Sequence, residues 1–501
     1  MLRPASLFTD GAVLCREKEI RVFGRADRPV QVTLKDRDGH VLAEGKDPGR
    51  DGRFLVTLAP QKAQTGCTLV IQSGDEKAEA ADVAVGEVFL AGGQSNMELQ
   101  LCNAEEGPEL IRSHRDDLLR FYNVPQKAIA GEEHDRAVAE TRWRRIAPGK
   151  GGENSAVAYF FGRKLRERMP EVPVGIIGCY WGGTSVSCWL EEDILRSCAE
   201  GTRYLEEYAK SCAGKTMEAW LKEDKVFWDT INAWNAAVAD YRKAHPGAEW
   251  KEVENACGPA PWTPPPGPGS PFRPAGLAVT MVREAAPATL TGILYYQGEN
   301  DAGITEKYDE LMTLLIRSWR EKFRDPELPF LFVQLPMWLD WYAEDCRQWA
   351  KIRLAQAKAR DVTENAGMIC LLDQGEYGNI HPVRKRQVGE RLAELAGKML
   401  YGGGEISPRA LALRAEGNTL AVSLSAPVKT GNGQEPALLE IAGEDGRYVP
   451  ARAEIRGGEL ILSADDIEKP VHARYAWIDW SDQVNLFGKN DLPLEPFCLS
   501  C

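Results

Sequence analysis

The sequence predicts an α/β protein, a parallel sheet flanked by helices, with an additional β domain at each end. Three observations carry that reading. Apolar β-type runs alternate with helical stretches over residues 86–402, the pattern of a sheet covered on both sides. Short alternating strands separated by turn signals fill residues 1–85, and the same kind of text returns over 403–501.

In the first region, Ile20 to Gly24, Val30 to Leu34, Arg53 to Leu58 and Thr68 to Ile71 alternate with a period of two. Asp38-Gly39, placed between Leu34 and Val41, is a hairpin signal. A small β-sandwich or β-roll is expected. In the central region, Val172 to Cys179, Leu290 to Tyr296, Phe330 to Leu335 and Met368 to Leu372 read as strands buried on both faces. Ala156 to Met169 and Tyr308 to Phe323 have helical spacing, and Leu311, Leu314, Leu315 and Trp319 share one face of the second. Residues 198–271 break the rhythm with charged helical text carrying Trp220, Phe227, Trp228 and Trp234, followed by a Pro/Gly-rich link. This segment is expected as an insertion over one edge of the sheet, its aromatics packing its own helices more readily than a sugar. Beyond Tyr401-Gly402-Gly403-Gly404, the runs Leu411 to Leu413, Leu420 to Leu424, Ala437 to Ile441 and Leu460 to Leu462 make a second β domain, for which packing against the first is one arrangement.

Composition narrows the classes of function. The chain has 501 residues, 44% hydrophobic and 27% charged, and no apolar run long enough to span a membrane. Its amino terminus lacks the pattern of a signal peptide, so a cytoplasmic protein is expected. A net charge of −13 disfavours nucleic acid and anionic membrane surfaces as partners. The twelve cysteines show no repeated spacing, and the terminal Cys498/Cys501 pair has no companion pair or histidine cluster. Neither a metal nor an organic cofactor is expected. Oligomeric state is not legible.

The passage Val88 to Glu98 ends an apolar strand on the small-residue turn Gly92-Gly93-Gln94-Ser95. A serine displayed on such a turn can expose both its Oγ and its own N–H, as a nucleophile requires. Read locally, the same serine could only cap the helix that starts near Asn96. Of the six histidines, His381 alone follows a strand and a polar turn and then opens a helix with Pro382 in the first turn. Two further post-strand segments, Tyr180 to Ser185 and Tyr295 to Asp301, offer glycine N–H groups and side-chain amides for an oxyanion.

On these residues the chain resembles the sialate O-acetylesterase family of SGNH-type hydrolases. Gly93-Gln94-Ser95-Asn96-Met97 matches the nucleophile block, Gly182-Gly183-Thr184 the glycine block, Gln297-Gly298-Glu299 the third block and Ile380-His381-Pro382 the histidine block. Phe8 to Leu14, Arg474 to Trp477 and Leu492 to Phe497 extend the likeness to nearly the full length. The resemblance implies an SGNH-hydrolase-like sheet and an esterase removing O-acetyl groups from a sugar or oligosaccharide. Sialate is the family's name-giving substrate; an acetylxylan or other hemicellulose acetylesterase is the alternative, and a non-catalytic carbohydrate-binding protein the alternative of another class.

By the same resemblance Ser95 attacks the acetyl carbonyl and His381 is base, then acid. The oxyanion donors are the N–H groups of Ser95 and Gly183 and one amide, Gln297 or Asn300. Gln94, Glu299 and Arg273 are candidates for substrate contact; Arg273, with Arg283, is a candidate for holding a carboxylate. One departure stands out. SGNH hydrolases usually carry Asp three residues before the histidine, and here that position is Gly378, with Asn379 following. A Ser95/His381 dyad is expected, with a backbone carbonyl, Glu376 or Asp373 as the substitute orienter of the imidazole.

Overall fold

The computed structural model describes residues 1–431 and 433–501. Its central sheet contains β1 (Glu76–Gly93), β2 (Asp116–Asn123), β3 (Arg144–Ile146), β4 (Val174–Tyr180), β5 (Gly292–Tyr296), β6 (Phe330–Val333) and β7 (Ala366–Ile369). The spatial order is β3-β2-β4-β1-β5-β6-β7. All neighbours run parallel except β3, which is antiparallel to β2 at the edge. The four strands expected from the apolar runs are present with shifted ends. The run through Leu372 outlasts its strand, which stops at Ile369, because Cys370 and Leu372 turn away to join the core of the C-terminal domain.

Helices cover both faces. On one side α1 (Ala156–Arg168) packs against α6 (Arg386–Leu400); on the other α4 (Tyr308–Lys322) packs against α5 (Gln348–Asp361). The alternation of β1 explains the division. Phe89 points to one face and meets Phe161 of α1 at 4.8 Å between ring centroids, while Gly92, three residues on, points to the other and lies under Trp319 of α4. Leu311, Leu315 and Trp319, spaced by four, are fully buried; Leu314 sits at the margin, half-buried. Ser155 starts α1 by accepting the Ala158 N–H at 3.1 Å.

β1 is shared between domains. Its first half pairs antiparallel with Gln64–Ser73 and parallel with Val13–Cys15, and from Glu87 onward it pairs with β4 and β5. The boundary expected at residues 85/86 therefore falls inside one continuous strand, where its partners change. The N-terminal domain layers the sheet Leu2–Pro4, Ile20–Ala26, Phe54–Leu58 against strands Val30–Lys35, Val41–Asp47 and Gln64–Ser73, burying Val22, Val32, Leu34, Val56 and Leu69. Its Asp-Gly hairpin joins Val30–Lys35 to Val41–Asp47.

The C-terminal domain has its own core of Leu420, Val422, Ile441, Leu460, Leu462 and Tyr475, to which Met337, Cys370 and Leu372 of the α/β domain contribute. Its docking is on that domain. Asp479 accepts the N–H groups of Trp349 and Ala350 at the start of α5, a helix N-terminus receiving an anion. The buried Arg353 donates to the Ala476 and Ile478 carbonyls. No helix of the described residues is long and apolar enough to cross a membrane, and all twelve cysteines are free.

Candidate functional site

Register builds the site. Gly93 ends β1 opposite Tyr180 on one side and Tyr296 on the other, so the segments after three adjacent strands converge at their carboxyl ends. Gly93 has φ +130, and a Cβ there would lie 2.1 Å from the Tyr296 carbonyl oxygen, so only glycine permits the turn. The Gln94 N–H then donates to that same carbonyl at 3.0 Å. Ser95 opens the helical turn Ser95–Glu98 as its first residue, with Gln94 in the capping position and no side-chain cap. The capping role open to Ser95 on local sequence is therefore absent.

His381 Nε2 lies 2.8 Å from Ser95 Oγ, a hydrogen bond of the length expected between nucleophile and base. Packing of protein around the imidazole, and then the charge of Lys385, push the histidine down to about 4, although one side of the residue stays open to solvent. A neutral imidazole with an exposed edge is suited to accept a proton. The N–H groups of Ser95 and Gly183 make no hydrogen bond to protein among the described residues. The neighbouring Gly182 N–H donates to Glu98, whose other oxygen accepts Gln126 Nε2 at 2.8 Å. Burial pushes the Glu98 carboxyl up, against the pull of these donors. The glycine loop is thus tied down one residue before its unused donor.

The two candidate amides are placed differently. Gln297 Nε2 faces Gln94 Oε1 at 3.0 Å, Thr184 O at 3.1 Å and Asp301 Oδ2 at 2.5 Å, and its Oε1 accepts from Tyr308. That amide is committed to the interior. The half-buried Asn300 side chain has no protein partner among the described residues and remains available to a ligand. Asp301 also accepts from Tyr204 and from the Val186 N–H. Burial pushes it up to about 6, while these donors pull the other way.

The expected substrate contacts are differently occupied. Gln94 is buried, and its Oε1 receives the Gly298 and Asn300 N–H groups as well as Gln297. Glu299 is buried under the turn, where it accepts Asn96 Nδ2 at 2.6 Å. Both brace the site from below, because the loops that carry them fold inward. Arg273 donates to the Ala128 carbonyl at 2.9 Å and packs beside the insertion, so its guanidinium is already engaged.

Neither substitute carboxylate reaches the imidazole. Asp373 forms a two-pronged ion pair with Arg391, at 2.7 and 2.6 Å. Glu376 accepts Asn379 Nδ2 at 2.7 Å and the Val383 N–H at 3.2 Å, and Asn379 Oδ1 accepts the His381 N–H at 3.0 Å. Among the described residues no protein atom meets His381 Nδ1. The missing aspartate has a steric reason. Gly378 has φ +71, and a Cβ there would fall 1.9 Å from the Trp341 ring.

Sequence reasoning missed the polar layer beneath the dyad. Lys385, fully buried, donates to Asn96 Oδ1 and stands 5.5 Å from the Tyr296 ring centroid. Burial pushes its ammonium down to about 7, opposed by Glu299 and Glu376. In Arg384-Lys385-Arg386 a lysine reads as solvated, and nothing local signals that it is covered. One grouping of possible metal ligands occurs among the described residues, Asp36, Asp38 and His40, in the hairpin turn of the N-terminal domain; there Asp36 already accepts the Asp38 and His40 N–H groups.

Comparison with known proteins returns carbohydrate esterases. Residues 271–397 match the family model described as "Carbohydrate esterase, sialic acid-specific acetylesterase". The chain is 24% identical to sialate O-acetylesterase of Rattus norvegicus, over 91% of this chain and 85% of that one. It is also 24% identical to the Homo sapiens protein of that name, over 99% and 92%. A solved carbohydrate acetylesterase from Xanthomonas citri superposes with TM-score 0.77 at 27% identity, covering 99% of both chains. The chain is therefore similar over nearly its whole length to sialate O-acetylesterases and to a carbohydrate acetylesterase, and its residues 271–397 match the model of that esterase family.

Proposed function

We propose that this chain is a serine carbohydrate O-acetylesterase on an SGNH-type scaffold, with O-acetylated sialic acid, the substrate in its relatives' names, as its substrate. The observation that carries the reading is the 2.8 Å contact between Ser95 Oγ and His381 Nε2 beside three unused donors. Ser95 Oγ attacks the acetyl carbonyl as its proton passes to His381 Nε2. The oxyanion is received by the Ser95 and Gly183 N–H groups and the Asn300 amide. Collapse expels the sugar hydroxyl, which takes the proton back from His381. A water then gives its proton to His381 and attacks the acetyl-enzyme, releasing acetate and restoring Ser95.

The neutral-sugar alternative, an acetylxylan or other hemicellulose acetylesterase, draws on the net charge of −13 and on Arg273 being held by a backbone carbonyl. A non-catalytic sugar-binding role is disfavoured by the assembled dyad. The deciding experiment measures acetate release by wild type and Ser95→Ala from O-acetylated sialic acid and from acetylated xylo-oligosaccharides. Serine-dependent release from the sialic acid supports the reading, release from the oligosaccharides alone replaces it with the alternative, and release from neither overturns it.

A further inference from the structure

Trp262 is 51% exposed, a large apolar surface left in water beside the site. Its ring atoms lie 2.5 Å from the position of a Cβ on Gly183, the residue with the unused N–H, and a Cβ on the adjacent Gly182 would lie 3.4 Å from that of Ser95. The indole therefore stands next to the reacting centre. Its orientation is fixed by two edge-on neighbours, Phe272 at 5.5 Å and 87° and Phe227 at 6.2 Å and 65°. Phe227 belongs to α2 (Met217–Ala244) of the insertion. Trp262 follows Pro261 in the stretch Pro259 to Pro271, whose prolines restrict the backbone before any ligand arrives.

The insertion also reaches the ring that packs on the histidine loop. Lys251, on α3 (Trp250–Cys257), places Nζ 4.9 Å from the Trp341 ring centroid. Trp341 in turn packs on Tyr377 at 4.5 Å and on Gly378, three residues before His381. Residues 198–271 thus touch both the glycine loop, through Trp262, and the neighbour of the histidine loop, Trp341. Most aromatics of this segment do pack its own helices: Trp220 is buried and Trp234 meets Trp250 at 6.0 Å. Trp262 packs on one of them as well but, unlike the other tryptophans of the segment, stays largely exposed.

We propose that Trp262 is the platform on which a pyranose ring of the acetylated sugar stacks, presenting its ester to Ser95. This rests on the esterase reading of the same site. The C–H face of a pyranose is apolar and its rim polar, so an exposed indole held by other aromatics recognises the face while leaving the hydroxyls in water.

The test compares kcat/KM of wild type, Trp262→Ala and Trp262→Phe on acetylated xylo-oligosaccharides, O-acetylated sialic acid and 4-nitrophenyl acetate, which lacks a sugar. Trp262→Ala is expected to lose at least about tenfold more on a sugar ester than on 4-nitrophenyl acetate, mainly through KM, and Trp262→Phe to recover most of it. Equal losses on sugar and non-sugar esters would assign Trp262 to supporting the glycine loop and overturn the platform. Calorimetry of Ser95→Ala and Ser95→Ala/Trp262→Ala with acetylated xylohexaose and with O-acetylated sialic acid reads stacking without turnover. Weakened binding of either sugar in the double variant supports the platform even where wild type releases no acetate, an outcome that would sink the esterase reading alone. Binding of both sugars unaffected by Trp262→Ala, or absent from the start, overturns it.

Discussion

Ser95 stands on a turn fixed from below by buried polar groups, whereas His381 stands on a half-buried loop fixed at its two ends. On the serine side Gln94, Gln297 and Asp301 lock three post-strand segments together inside the protein. On the histidine side Glu376 reaches Asn379 and Val383, either side of His381, and among the described residues no carboxylate meets the imidazole. Ser95, the proposed nucleophile, is positioned by its backbone at the end of the central strand β1, and His381, the proposed base, by a clamp on its loop. A base oriented through its main chain keeps more freedom about its ring, so the two sides should respond differently to substitution.

The largest expected effects make the two sides equal. Ser95→Ala and His381→Ala should each lower kcat by about 10⁴ or more, with the thermal midpoint unchanged, because neither side chain carries core packing. Turnover and a melting curve check this. A His381→Ala variant that kept a tenth of wild-type rate would remove it as the base.

Next come the two amides, which separate activity from architecture. Asn300→Ala should cost about 10² to 10³ in kcat while leaving stability alone, as loss of one oxyanion donor does. Gln297→Ala should unfold more easily, by about 1–3 kcal/mol, since it leaves buried partners without a donor. Denaturant titration beside steady-state kinetics distinguishes them. An Asn300→Ala enzyme with full activity would return the oxyanion role to another group.

How much of this was legible follows the same division. The buried parallel strands showed as apolar runs because both faces meet protein, and the dyad showed because its residues follow strands. The end of β7 did not, since Cys370 and Leu372 are apolar for a different neighbour, the C-terminal domain. The buried Gln94, Glu299 and Lys385 were also hidden, because polar text carries no mark of what will cover it. The absent aspartate was visible at Gly378, but its cause, the Trp341 ring, lies 37 residues earlier in the chain.

The clamp itself makes the third contrast. Glu376→Ala frees both ends of the histidine loop and should lower kcat by about 10- to 100-fold, the effect of a misplaced base, and so less than His381→Ala. Asp373→Ala removes a partner of Arg391 and should leave kcat within about threefold while lowering the melting midpoint. If either variant matched His381→Ala in rate, the carboxylate in question would act on the imidazole directly and the dyad description would be wrong.

The smallest effect concerns charge. Packing and then Lys385 lower the His381 value below the ordinary 6.5. As the proposed base, His381 works neutral, so kcat/KM should fall only as pH drops through that lowered value, with its acid limb below pH 6.5. Below pH 7 Lys385 is itself mostly protonated, and its charge opposes a second proton nearby. Removing it by Lys385→Met favours the imidazolium, so the acid limb should move to higher pH, by less than about one unit because the packing remains. Lys385→Gln removes the charge but keeps a donor toward Asn96, and should move the limb equally. Should only Lys385→Met shift it, the cause would be the lost hydrogen bond and a displaced Asn96, and the polar layer under the dyad would act by position and not by field.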